Sequence, residues 1–556
     1  MGDEGGIARR FWIKFKAESV FAVYTPFVIC LASGDLDSQS FRHCISQDVH
    51  ILKAFAQAYE LAQDCADDDE DRVAICKLRK HVLNELKNRD DVAREWGFEL
   101  PKEITCDNAT VKYRDFLLAT ASGKVEGEKF SGKIATPFER TKVAAYSLGA
   151  MAPHMRLYSF ICKEIQALSD FNETSYIYKK WIDSYSSKKF EASVLQTEDM
   201  LDKLSVSLTG EELEVIEKLY HQALKLEVDF FSAQPVAQKT IVPLSRVVNP
   251  AEGNLTIFCD FDLTCTAIDS SALLAEFAII TAPKSDPNGS ETQLARLPSA
   301  DLRNTWGVLS RQYSEEYEQC IESIMPSETA HNFNYEGLCK ALEQLSDFEK
   351  KANLRVVESG VLKGLNVDDI KRAGQRLILQ DGCRGFFQKI VKDVNLEADV
   401  HVLSYCWCGD LIRSAFSSGG LDVLKVHSNE LAYEESISTG KILGEVESPL
   451  EKLQAFNNIL KDCDNDGNNV SIYIGGSVGD LLCLLEADVG IVIGSSPSLQ
   501  KLGEQFGVSF IPLFPGLVKK QRDLTEAGSS NRKGLSGVLY TVSGWAEIHA
   551  FILGSS

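Results

Sequence analysis

The sequence is short of basic residues and of long apolar runs, and both shortages exclude classes of partner. It has 58 lysines and arginines against 80 aspartates and glutamates, which gives a net charge of -22 at pH 7. This negative charge argues against nucleic acid or an anionic membrane as the main partner, although a local site that holds a cation can still bind a phosphate ligand. No apolar run approaches the roughly 20 residues that a membrane helix needs. We therefore expect neither a nucleic-acid nor a membrane partner.

Paired cysteines are also missing. The 15 cysteines are scattered, and none forms a Cys-x-x-Cys spacing. The closest pair, Cys406 and Cys408, supplies two sulfurs, which do not complete a zinc site. Reduced thiols of the cytosol are the better interpretation. The first six residues are acidic, unlike a signal or transit peptide. The sequence thus predicts a cytoplasmic protein, and a mitochondrial form would need an N-terminal extension that is absent here.

A proline-containing stretch divides the chain into two parts with different patterns. Residues 235–254 include three prolines, and Gly253 precedes the first apolar strand. Before this stretch, apolar residues recur at helical spacing. After it, short apolar strands alternate with helical segments, an order typical of a parallel sheet. We predict an all-α domain at 1–235, a linker at 236–254 and an α/β domain at 255–556.

A long insertion interrupts the predicted sheet. The predicted strands are Leu255–Cys259, Val400–Ser404, Val470–Ile474 and Val489–Ile493. Between the first two, at about residues 270–395, helical periodicity dominates, for example at Trp306, Tyr313 and Tyr317. A helical insertion over the carboxyl end of a sheet would act as a lid on a site there. We therefore predict a helical cap on the α/β domain.

Two aspartates directly follow the first predicted strand. Asp260 and Asp262 are two residues apart, so on an extended chain their side chains point the same way and can share one site. In an open α/β sheet, sites form outside the carboxyl ends of the strands. Two negative charges there are costly unless a cation or a substrate compensates them. A nucleophilic aspartate, a second aspartate as proton donor and a Mg²⁺ between them would meet that need.

Four motifs in order make residues 255–556 resemble a phosphatase of the haloacid dehalogenase superfamily. The motifs are Asp260-x-Asp262-x-Thr264, Ser404 at a strand end, Lys452, and the segment Gly475–Asp480. The resemblance implies a Rossmann-like fold in which Asp260 attacks phosphorus to form an aspartyl-phosphate and Asp262 is the general acid and base. It also implies that Thr264, Ser404 and Lys452 bind phosphate. Mg²⁺ would be bound by Asp260, the carbonyl of Asp262, and Asp480.

The fourth motif departs from that superfamily at Gly476, where members usually have a metal-binding aspartate. Glycine offers no side-chain ligand, and the loss of one hard oxygen ligand weakens Mg²⁺ binding. Water or Asp480 could fill the gap, or the domain could be a weak or inactive enzyme. The sequence leaves these alternatives open.

A glutamate interrupts an apolar helical stripe in the N-terminal part. Ile216, Tyr220, Ala223, Glu227 and Phe230 recur on one helical face, so we expect Glu227 to point inward. Burial favours the protonated form of a carboxyl group and would suit this residue to general acid–base work. The alternative is a glutamate at the edge of the stripe that reaches solvent.

Residues 7–235 resemble the TenA/thiaminase II family, which has a helical fold of the haem-oxygenase type. The matching positions are Asp48 at the start of a helix, Tyr113, Tyr158, Tyr185 and Glu227. The resemblance implies that Asp48 and Glu227 grip and protonate an aminopyrimidine, and that the tyrosines surround its ring. Asp48 as the N-cap of a helix is an equally fair interpretation.

The nucleophilic cysteine of that family is replaced by His154, which follows Pro153. Imidazole can act as acid or base, so His154 is a candidate catalytic residue, but it cannot form a thiolate adduct. Another branch of the family lacks the cysteine and uses carboxylates, so the resemblance still allows hydrolysis. A histidine that merely packs at this position is the alternative.

A TenA-like domain fused ahead of such a phosphatase is similar to a plant family of bifunctional proteins of thiamine metabolism. The resemblance implies that the α/β domain hydrolyses thiamine monophosphate and that the helical domain is an aminopyrimidine aminohydrolase of thiamine salvage. It also implies small-molecule substrates and homo-oligomers formed through the helical domain. Two alternatives stay open: a weakly active or non-catalytic binder of thiamine-related ligands, and a phosphatase for another small organic phosphate, because the pocket of the cap cannot be read from sequence.

Overall fold

A computed structural model describes most of the chain. The described residues are 5–95, 99–100, 105–124, 137–168, 178–247, 254–282, 297–393, 396, 398–463, 469–527 and 536–555. Residue contacts divide the chain into two compact units. The first unit comprises Met1–Leu244, Leu517–Ser529 and Ala550–Ser556, and the second comprises Ser245–Gly516 and Ser530–His549. Part of the predicted linker (248–253) and part of the predicted cap (283–296) lie outside the described residues.

The N-terminal part is helical, as its apolar spacing predicts. Its helices, with the short helix that follows them, are α1 (Ile7–Lys14), α2 (Lys16–Val23), α3 (Pro26–Ser33), α4 (Ser38–Cys65), α5 (Asp69–Glu95), α6 (Asn108–Ala121), α7 (Pro137–Gln166), α8 (Lys179–Tyr185), α9 (Lys188–Ser205), α10 (Gly210–Ser232) and α11 (Leu244–Val247). In the described part of the chain, no single helix is long and apolar enough to cross a membrane, although the bent pair α2 and α3 passes that test jointly.

One helix start differs from the prediction. The carboxylate of Asp37 accepts hydrogen bonds from the backbone N–H groups of Gln39 (3.0 Å) and Ser40 (2.8 Å), and this cap starts α4 at Ser38. Asp48 therefore lies inside α4. The predicted helix start at this residue is wrong, and so is the interpretation of Asp48 as an N-cap.

The C-terminal part alternates strands and helices. In chain order these are β1 (Leu255–Cys259), α12 (Ser270–Thr281), α13 (Ser299–Ile324), α14 (Tyr335–Ser359), β2 (Lys363–Asn366), α15 (Val367–Gln375), α16 (Cys383–Lys392), β3 (Ala398–Leu403), α17 (Gly409–Ser417), β4 (Lys425–His427), β5 (Glu430–Glu434), β6 (Ile437–Leu443), α18 (Pro449–Cys463), β7 (Val470–Gly475), α19 (Leu481–Glu486), β8 (Val489–Ile493), α20 (Pro497–Gln505), β9 (Ser509–Pro512), α21 (Leu513–Ala527), β10 (Val538–Val542) and α22 (Trp545–Ile552).

Seven of these strands form one sheet in the order β4-β3-β1-β7-β8-β10-β9, and every pairing in it is parallel. All residues of β1 and β7 are buried, which is why both read as continuous apolar runs. The rings of Phe258, Phe456 and Tyr473 pack at centroid distances of 4.6 and 5.7 Å between these strands and α18. This arrangement confirms the predicted Rossmann-like α/β fold.

A second, three-stranded sheet has the order β2-β6-β5, and its pairings are antiparallel. The predicted insertion is therefore not wholly helical, because β2 lies within it. Lys363–Asn366 contains no β-branched residue, and Gly364 has a left-handed φ of 82°. Long-range pairing with β6, rather than local propensity, makes this segment a strand.

Candidate active sites

The loop that carries the two aspartates begins where β1 ends. The backbone N–H of Asp260 donates to the carbonyl of Ile474 (2.9 Å), so this residue extends the pairing of β1 with β7. Leu263 then takes a left-handed φ of 58°, which turns the chain back. Two distant side chains fix the turn. Gln380 Nε2 donates to the carbonyl of Leu263 (2.6 Å), and Trp545 Nε1 donates to the carbonyl of Thr264 (3.0 Å).

Lys452 joins two of the predicted site residues. Its Nζ lies 2.9 Å from Asp260 Oδ1 and 2.6 Å from Asp480 Oδ1. The ammonium also lies over the ring of Tyr405, 4.5 Å from the centroid. All three charged side chains are buried, and α18 carries the lysine to the carboxyl ends of β1 and β7. Residues from three of the four sequence motifs therefore meet at one point.

Burial and mutual repulsion set the protonation of this cluster. Burial, and then the neighbouring Asp480, raise the pKa of Asp260 to about 7, although Lys452 opposes them. Burial alone would raise the pKa of Asp480, but Lys452 outweighs it and lowers that pKa. Burial works against the charge of Lys452, but the two aspartates raise its pKa above the ordinary value. Near neutral pH, the cluster therefore holds a cation, a fixed carboxylate and a second carboxyl that titrates.

Asp262 occupies a separate environment at the edge of the cavity. Its Oδ1 accepts a hydrogen bond from the backbone N–H of Ser270 (2.7 Å), and its Oδ2 accepts one from the Ser270 hydroxyl (2.8 Å). Enclosure raises the pKa of Asp262 to about 8, with further contributions from Asp269 and Asp260. Asp262 is thus largely protonated near pH 7 and can donate a proton, as its predicted role requires.

The donor set fits Mg²⁺ in chemical type and in charge. Asp260 and Asp480 are hard oxygen donors, and their two carboxylates outnumber the single ammonium of Lys452, so a divalent cation would balance the remaining negative charge. The position of Asp480 is fixed, because its Oδ2 accepts hydrogen bonds from Gly476 N (3.1 Å), Ser477 N (2.9 Å) and Ser477 Oγ (2.7 Å). Its Oδ1 accepts one from Tyr473 Oη (2.9 Å) as well as from Lys452.

The structure leaves no room for a side chain at Gly476. A Cβ at this position would lie 2.7 Å from the carbonyl oxygen of Ile493, well inside van der Waals contact. Any other residue at 476 therefore requires a shift of the backbone. The glycine that departs from the superfamily motif matches the close approach of β8 to this loop.

Two of the predicted phosphate-binding residues are buried in the loops that follow β1 and β3. Ser404 follows β3, is fully buried, and accepts a hydrogen bond from the backbone N–H of Cys406 (3.1 Å) at its Oγ. Thr264 is also fully buried, and its Oγ1 has no hydrogen-bond partner among the described residues. The geometry brings Asp260, Lys452 and Asp480 into direct contact, whereas phosphate binding by Ser404 and Thr264 stays a prediction.

A cavity of about 520 Å³ borders this cluster. Asp260 and Asp262 line it together with aromatic residues and Glu349 of α13 and α14. This volume is within the range of small-molecule sites, roughly 300–1,000 Å³. A helical cap is predicted here from the sequence, but the residues that line the cavity are not. The helical spacing of Trp306, Tyr313 and Tyr317 was the available signal, and it cannot distinguish a core-packing face from a cavity wall.

The helical unit contains a second buried cluster. Glu227 of α10 is buried, as its place in the apolar stripe predicts, so the solvent-exposed alternative is wrong. Its Oε1 accepts a hydrogen bond from Tyr113 Oη (2.6 Å) and lies 2.6 Å from His154 Nδ1. Its Oε2 has no hydrogen-bond partner among the described residues. One carboxylate oxygen is thus positioned by the protein, and the other is buried without a hydrogen-bond partner among the described residues.

Asp48 has a partner that the sequence analysis missed. Arg89 of α5 forms an ion pair with its Oδ2, and both side chains are buried. Tyr158 Oη lies 3.5 Å from Asp48 Oδ1, and the ring of Tyr158 lies 4.4 Å from that of His154 and 5.3 Å from that of Tyr185. The predicted pyrimidine-site residues therefore cluster together. No local pattern marks Arg89, which belongs to the site only because α5 packs against α4.

The space left in this cluster is small. A cavity of about 20 Å³ is lined by Phe55, His154, Tyr185, Glu85 and their neighbours. One water molecule needs roughly 10–15 Å³ on this scale, so an aminopyrimidine cannot enter without side-chain movement.

A family model and a bacterial enzyme match the helical part of the chain. The model of the TENA/THI-4/PQQC family matches residues 13–127 and 137–235. The aminopyrimidine aminohydrolase of Helicobacter pylori is 26% identical over 210 residues, covering 37% of this chain and 88% of that enzyme. The predicted TenA-like nature of the helical domain is confirmed by the family match.

The α/β part is similar in fold to a solved structure of a phosphoserine phosphatase, described as an analogue of its phospho-aspartyl intermediate. Its sequence identity is 19% and its TM-score is 0.26, and the match covers 45% of this chain and 90% of the phosphatase.

A plant protein matches almost the whole chain. The "Bifunctional TH2 protein, mitochondrial" of Arabidopsis thaliana is 61% identical over 555 residues, which cover 99% of this chain and 90% of that protein. The mitochondrial location in the name of this relative overturns the predicted cytoplasmic location. Scattered cysteines and an acidic first segment say little about import into mitochondria. At this identity and coverage, the chain belongs to the family of bifunctional TH2 proteins.

Proposed function

We propose that the α/β unit hydrolyses thiamine monophosphate to thiamine and phosphate. The observation that carries this proposal is the buried contact of Lys452 with Asp260 and Asp480 beneath a cavity of about 520 Å³. Such a cluster can hold a phosphoryl group next to a nucleophile, because positioning and charge stabilisation supply most of the catalysis in phosphoryl transfer. The bifunctional TH2 relative supports thiamine metabolism as the context.

In the first half of the proposed reaction, the Asp260 carboxylate attacks phosphorus and the bond from phosphorus to the alcohol oxygen breaks. Asp262, protonated near neutral pH, gives its proton to the departing alkoxide. Lys452 balances the negative charge on the phosphoryl oxygens. In the second half, Asp262 takes a proton from water, the water oxygen attacks phosphorus, and the bond from Asp260 to phosphorus breaks. Asp260 and Asp480 would hold Mg²⁺, which supplies further neutralisation of phosphate charge when bound.

The test is phosphate release from thiamine monophosphate by the full-length protein during a Mg²⁺ titration. We expect turnover that rises with Mg²⁺ and saturates. Absence of phosphate release across the titration, from protein whose unfolding transition is cooperative, would refute the proposed activity. Turnover that is insensitive to both Mg²⁺ and chelator would refute the metal assignment alone.

We propose that the helical unit releases ammonia from an aminopyrimidine. Glu227 Oε2, which lacks a hydrogen-bond partner among the described residues, would hold and protonate the ring, and His154 would assist proton transfer. Because the imidazole cannot form a thiolate adduct, water is the nucleophile in this proposal. The aminopyrimidine aminohydrolase relatives support this reaction class. The assay is ammonia release from 4-amino-5-aminomethyl-2-methylpyrimidine.

A non-catalytic binding role for the helical unit is the second candidate, because Arg89 already pairs with Asp48 and the cavity beside His154 holds only about 20 Å³. Calorimetry with the same pyrimidine separates the candidates. Binding without ammonia release favours the binding role, and release favours the enzyme.

We further propose a mitochondrial location, because the name of the plant relative gives that location. Imaging of a fluorescent fusion of the full gene product tests it, and signal outside mitochondria would refute it. Homo-oligomers formed through the helical unit stay a prediction, which light scattering on the purified protein can check.

A further inference from the structure

The charge of the large cavity in the α/β unit is unexpected for a site that receives a phosphate ester. Its acidic lining residues are Asp260, Asp262, Asp269, Glu349 and Glu447. Arg355 is the basic residue among the described residues of the lining, and Glu316 of α13 already pairs with it at 2.7 Å. Lys452 is fully buried behind Asp260 and does not itself line the cavity. The lining is therefore mainly acidic, so it repels a negatively charged group and attracts a cation.

That wall is also aromatic. Tyr313 and Tyr317 of α13 have near-parallel rings whose centroids are 5.7 Å apart. Trp306 of the same helix meets Trp407 edge-on at 6.3 Å. Aromatic faces attract cations, with about 0.5–2 kcal/mol for each contact. Lys452 over Tyr405 already shows this geometry inside the same unit. A flat ring with a positive charge suits this wall better than a neutral or anionic group does.

Glu349 is one of three lining acids, with Asp269 and Glu447, that the proposed chemistry leaves without a role. It lies on α14, is half-buried, and accepts a hydrogen bond from Tyr313 Oη (2.9 Å) at its Oε1. Burial raises the pKa of Glu349 to about 7, and in the described part of the chain no basic side chain offsets that effect. A partly enclosed carboxylate without a cationic partner is costly. A cationic ligand in the cavity would remove that cost.

Tyr405 links the two ends of the cavity. Burial is the main cause that raises the pKa of its hydroxyl, and Asp480, Glu349 and Asp260 contribute in the same direction. The hydroxyl is thus within electrostatic reach both of the phosphate end and of Glu349. Because Tyr405, Asp260 and Glu349 line the same cavity of about 520 Å³, one small molecule can contact both ends.

We propose that Glu349 and the rings of Trp306, Tyr313 and Tyr317 form a subsite that selects phosphomonoesters whose alcohol carries a flat organic cation. This inference rests on the proposed phosphatase function and adds which part of the substrate the cap recognises. A thiazolium ring has the required chemistry: it is planar, it is positively charged, and a short linker joins it to the phosphate.

The experiment compares two esters that differ in charge but share the reacting bond. One is 4-methyl-5-(2-phosphonooxyethyl)thiazole, which is neutral at its ring, and the other is its N-methylthiazolium derivative. The full-length protein is assayed with both in saturating Mg²⁺. We expect kcat/KM to be about ten-fold higher for the thiazolium, the order of one or two cation–π contacts.

Two variants then locate the source of the preference. Glu349→Gln should reduce the thiazolium-to-thiazole ratio of kcat/KM several-fold, chiefly through KM. Glu343→Gln removes the same charge from an exposed position of α14 and should leave the ratio at the wild-type value. Tyr313→Phe keeps the ring but removes the hydroxyl that positions Glu349, so it should reduce the ratio less than Glu349→Gln does.

The outcomes separate this inference from the function on which it rests. If neither ester nor thiamine monophosphate releases phosphate, the phosphatase function fails. If both esters are hydrolysed with equal kcat/KM, or if Glu349→Gln and Glu343→Gln give the same ratio, the cation subsite fails and the phosphatase stands. Should Glu349→Gln not fold, competitive inhibition of the wild-type protein decides. Thiamine should inhibit more strongly than the neutral alcohol 4-methyl-5-(2-hydroxyethyl)thiazole, and equal inhibition would overturn the inference.

Discussion

The two candidate sites solve the same electrostatic problem in different ways. Each buries an aspartate beside a basic side chain: Asp260 beside Lys452 in the α/β unit, and Asp48 beside Arg89 in the helical unit. Asp260 lines a cavity of about 520 Å³, whereas neither Asp48 nor Arg89 lines the cavity of about 20 Å³ beside His154. A ligand that binds Asp48 would have to replace the internal ion pair with Arg89, and its affinity would be reduced by the free energy of breaking that pair.

The largest effect is expected when the proposed nucleophile, Asp260, is removed. Asp260→Asn should reduce phosphate release by about 10⁴-fold or more, because nucleophile and acid act as one unit. Ammonia release by the helical unit should stay at the wild-type rate. Asp422→Asn, at an exposed position, is the matched control. Residual phosphatase activity above a hundredth of wild type would remove Asp260 from the reaction and end the comparison of the two sites.

The next effect tests the buried lysine. Lys452→Met leaves Asp260 and Asp480 without their cation, and breaking a buried pair costs about 3–5 kcal/mol. Chemical denaturation should show this loss in the free energy of unfolding. The double variant Lys452→Met/Asp480→Asn should recover part of it, because one uncompensated charge is gone. Lys340→Met on the surface of α14 should unfold like the wild type. A single Lys452→Met variant of unchanged stability would contradict the proposed charge balance.

A smaller effect is expected at the Asp48–Arg89 pair of the helical unit. Arg89→Met removes the internal partner of Asp48, so a pyrimidine ligand no longer competes with a guanidinium. We expect the variant to have a lower Tm than the wild type without ligand and a larger rise in Tm on adding aminopyrimidine. Arg79→Met, on the same helix and paired with Glu60, is the control. An equal ligand-induced rise in wild type and Arg89→Met would show that Arg89 does not compete for the site.

The smallest effect is a dependence on pH. Because burial raises the pKa of Glu349 to about 7, its side chain is mainly neutral below that pH and anionic above it. The thiazolium-to-thiazole preference should therefore rise about three-fold between about pH 6 and pH 8, and both esters share the titration of the phosphate itself. A preference that stays flat, or falls as pH rises, would exclude Glu349 as the group that recognises the charge.

Other groups share that environment. The titratable or charged groups of the described chain that line the cavity or interact electrostatically with Glu349 are Asp260, Asp262, Asp269, Tyr313, Tyr317, Cys320, Arg355, Tyr405, Cys406 and Glu447. Burial raises the pKa of Tyr313, Tyr317 and Tyr405 well above the assay range, so these hydroxyls stay neutral. Glu349→Gln assayed over the same pH range separates its contribution from those of the other acids.

The sequence was sufficient where function depends on strand ends. β1 and β7 are mostly apolar, and parallel strands bring their carboxyl ends together, so a site at Asp260 follows from local pattern. Asp480 and Lys452 were predicted from their order in the motifs of the resemblance. By contrast, Arg89 and Glu349 lie on ordinary amphipathic helices, and only helix packing decides that each faces a site. The start of α4 was missed because the prediction began at Asp48, eleven residues after the cap Asp37, although Phe41, Cys44 and Ile45 already recur at helical spacing.

The place of β10 in the sheet has a consequence for how the protein is made. This strand lies between β8 and β9, although the ribosome produces it after both. A nascent chain therefore carries a gap inside its sheet until residue 542 has emerged. Trp545, which holds the turn after Asp260, emerges later still. The sheet of the α/β unit should thus be completed only after β10 and Trp545 have emerged, and premature termination shortly before this segment should yield a product that proteases recognise.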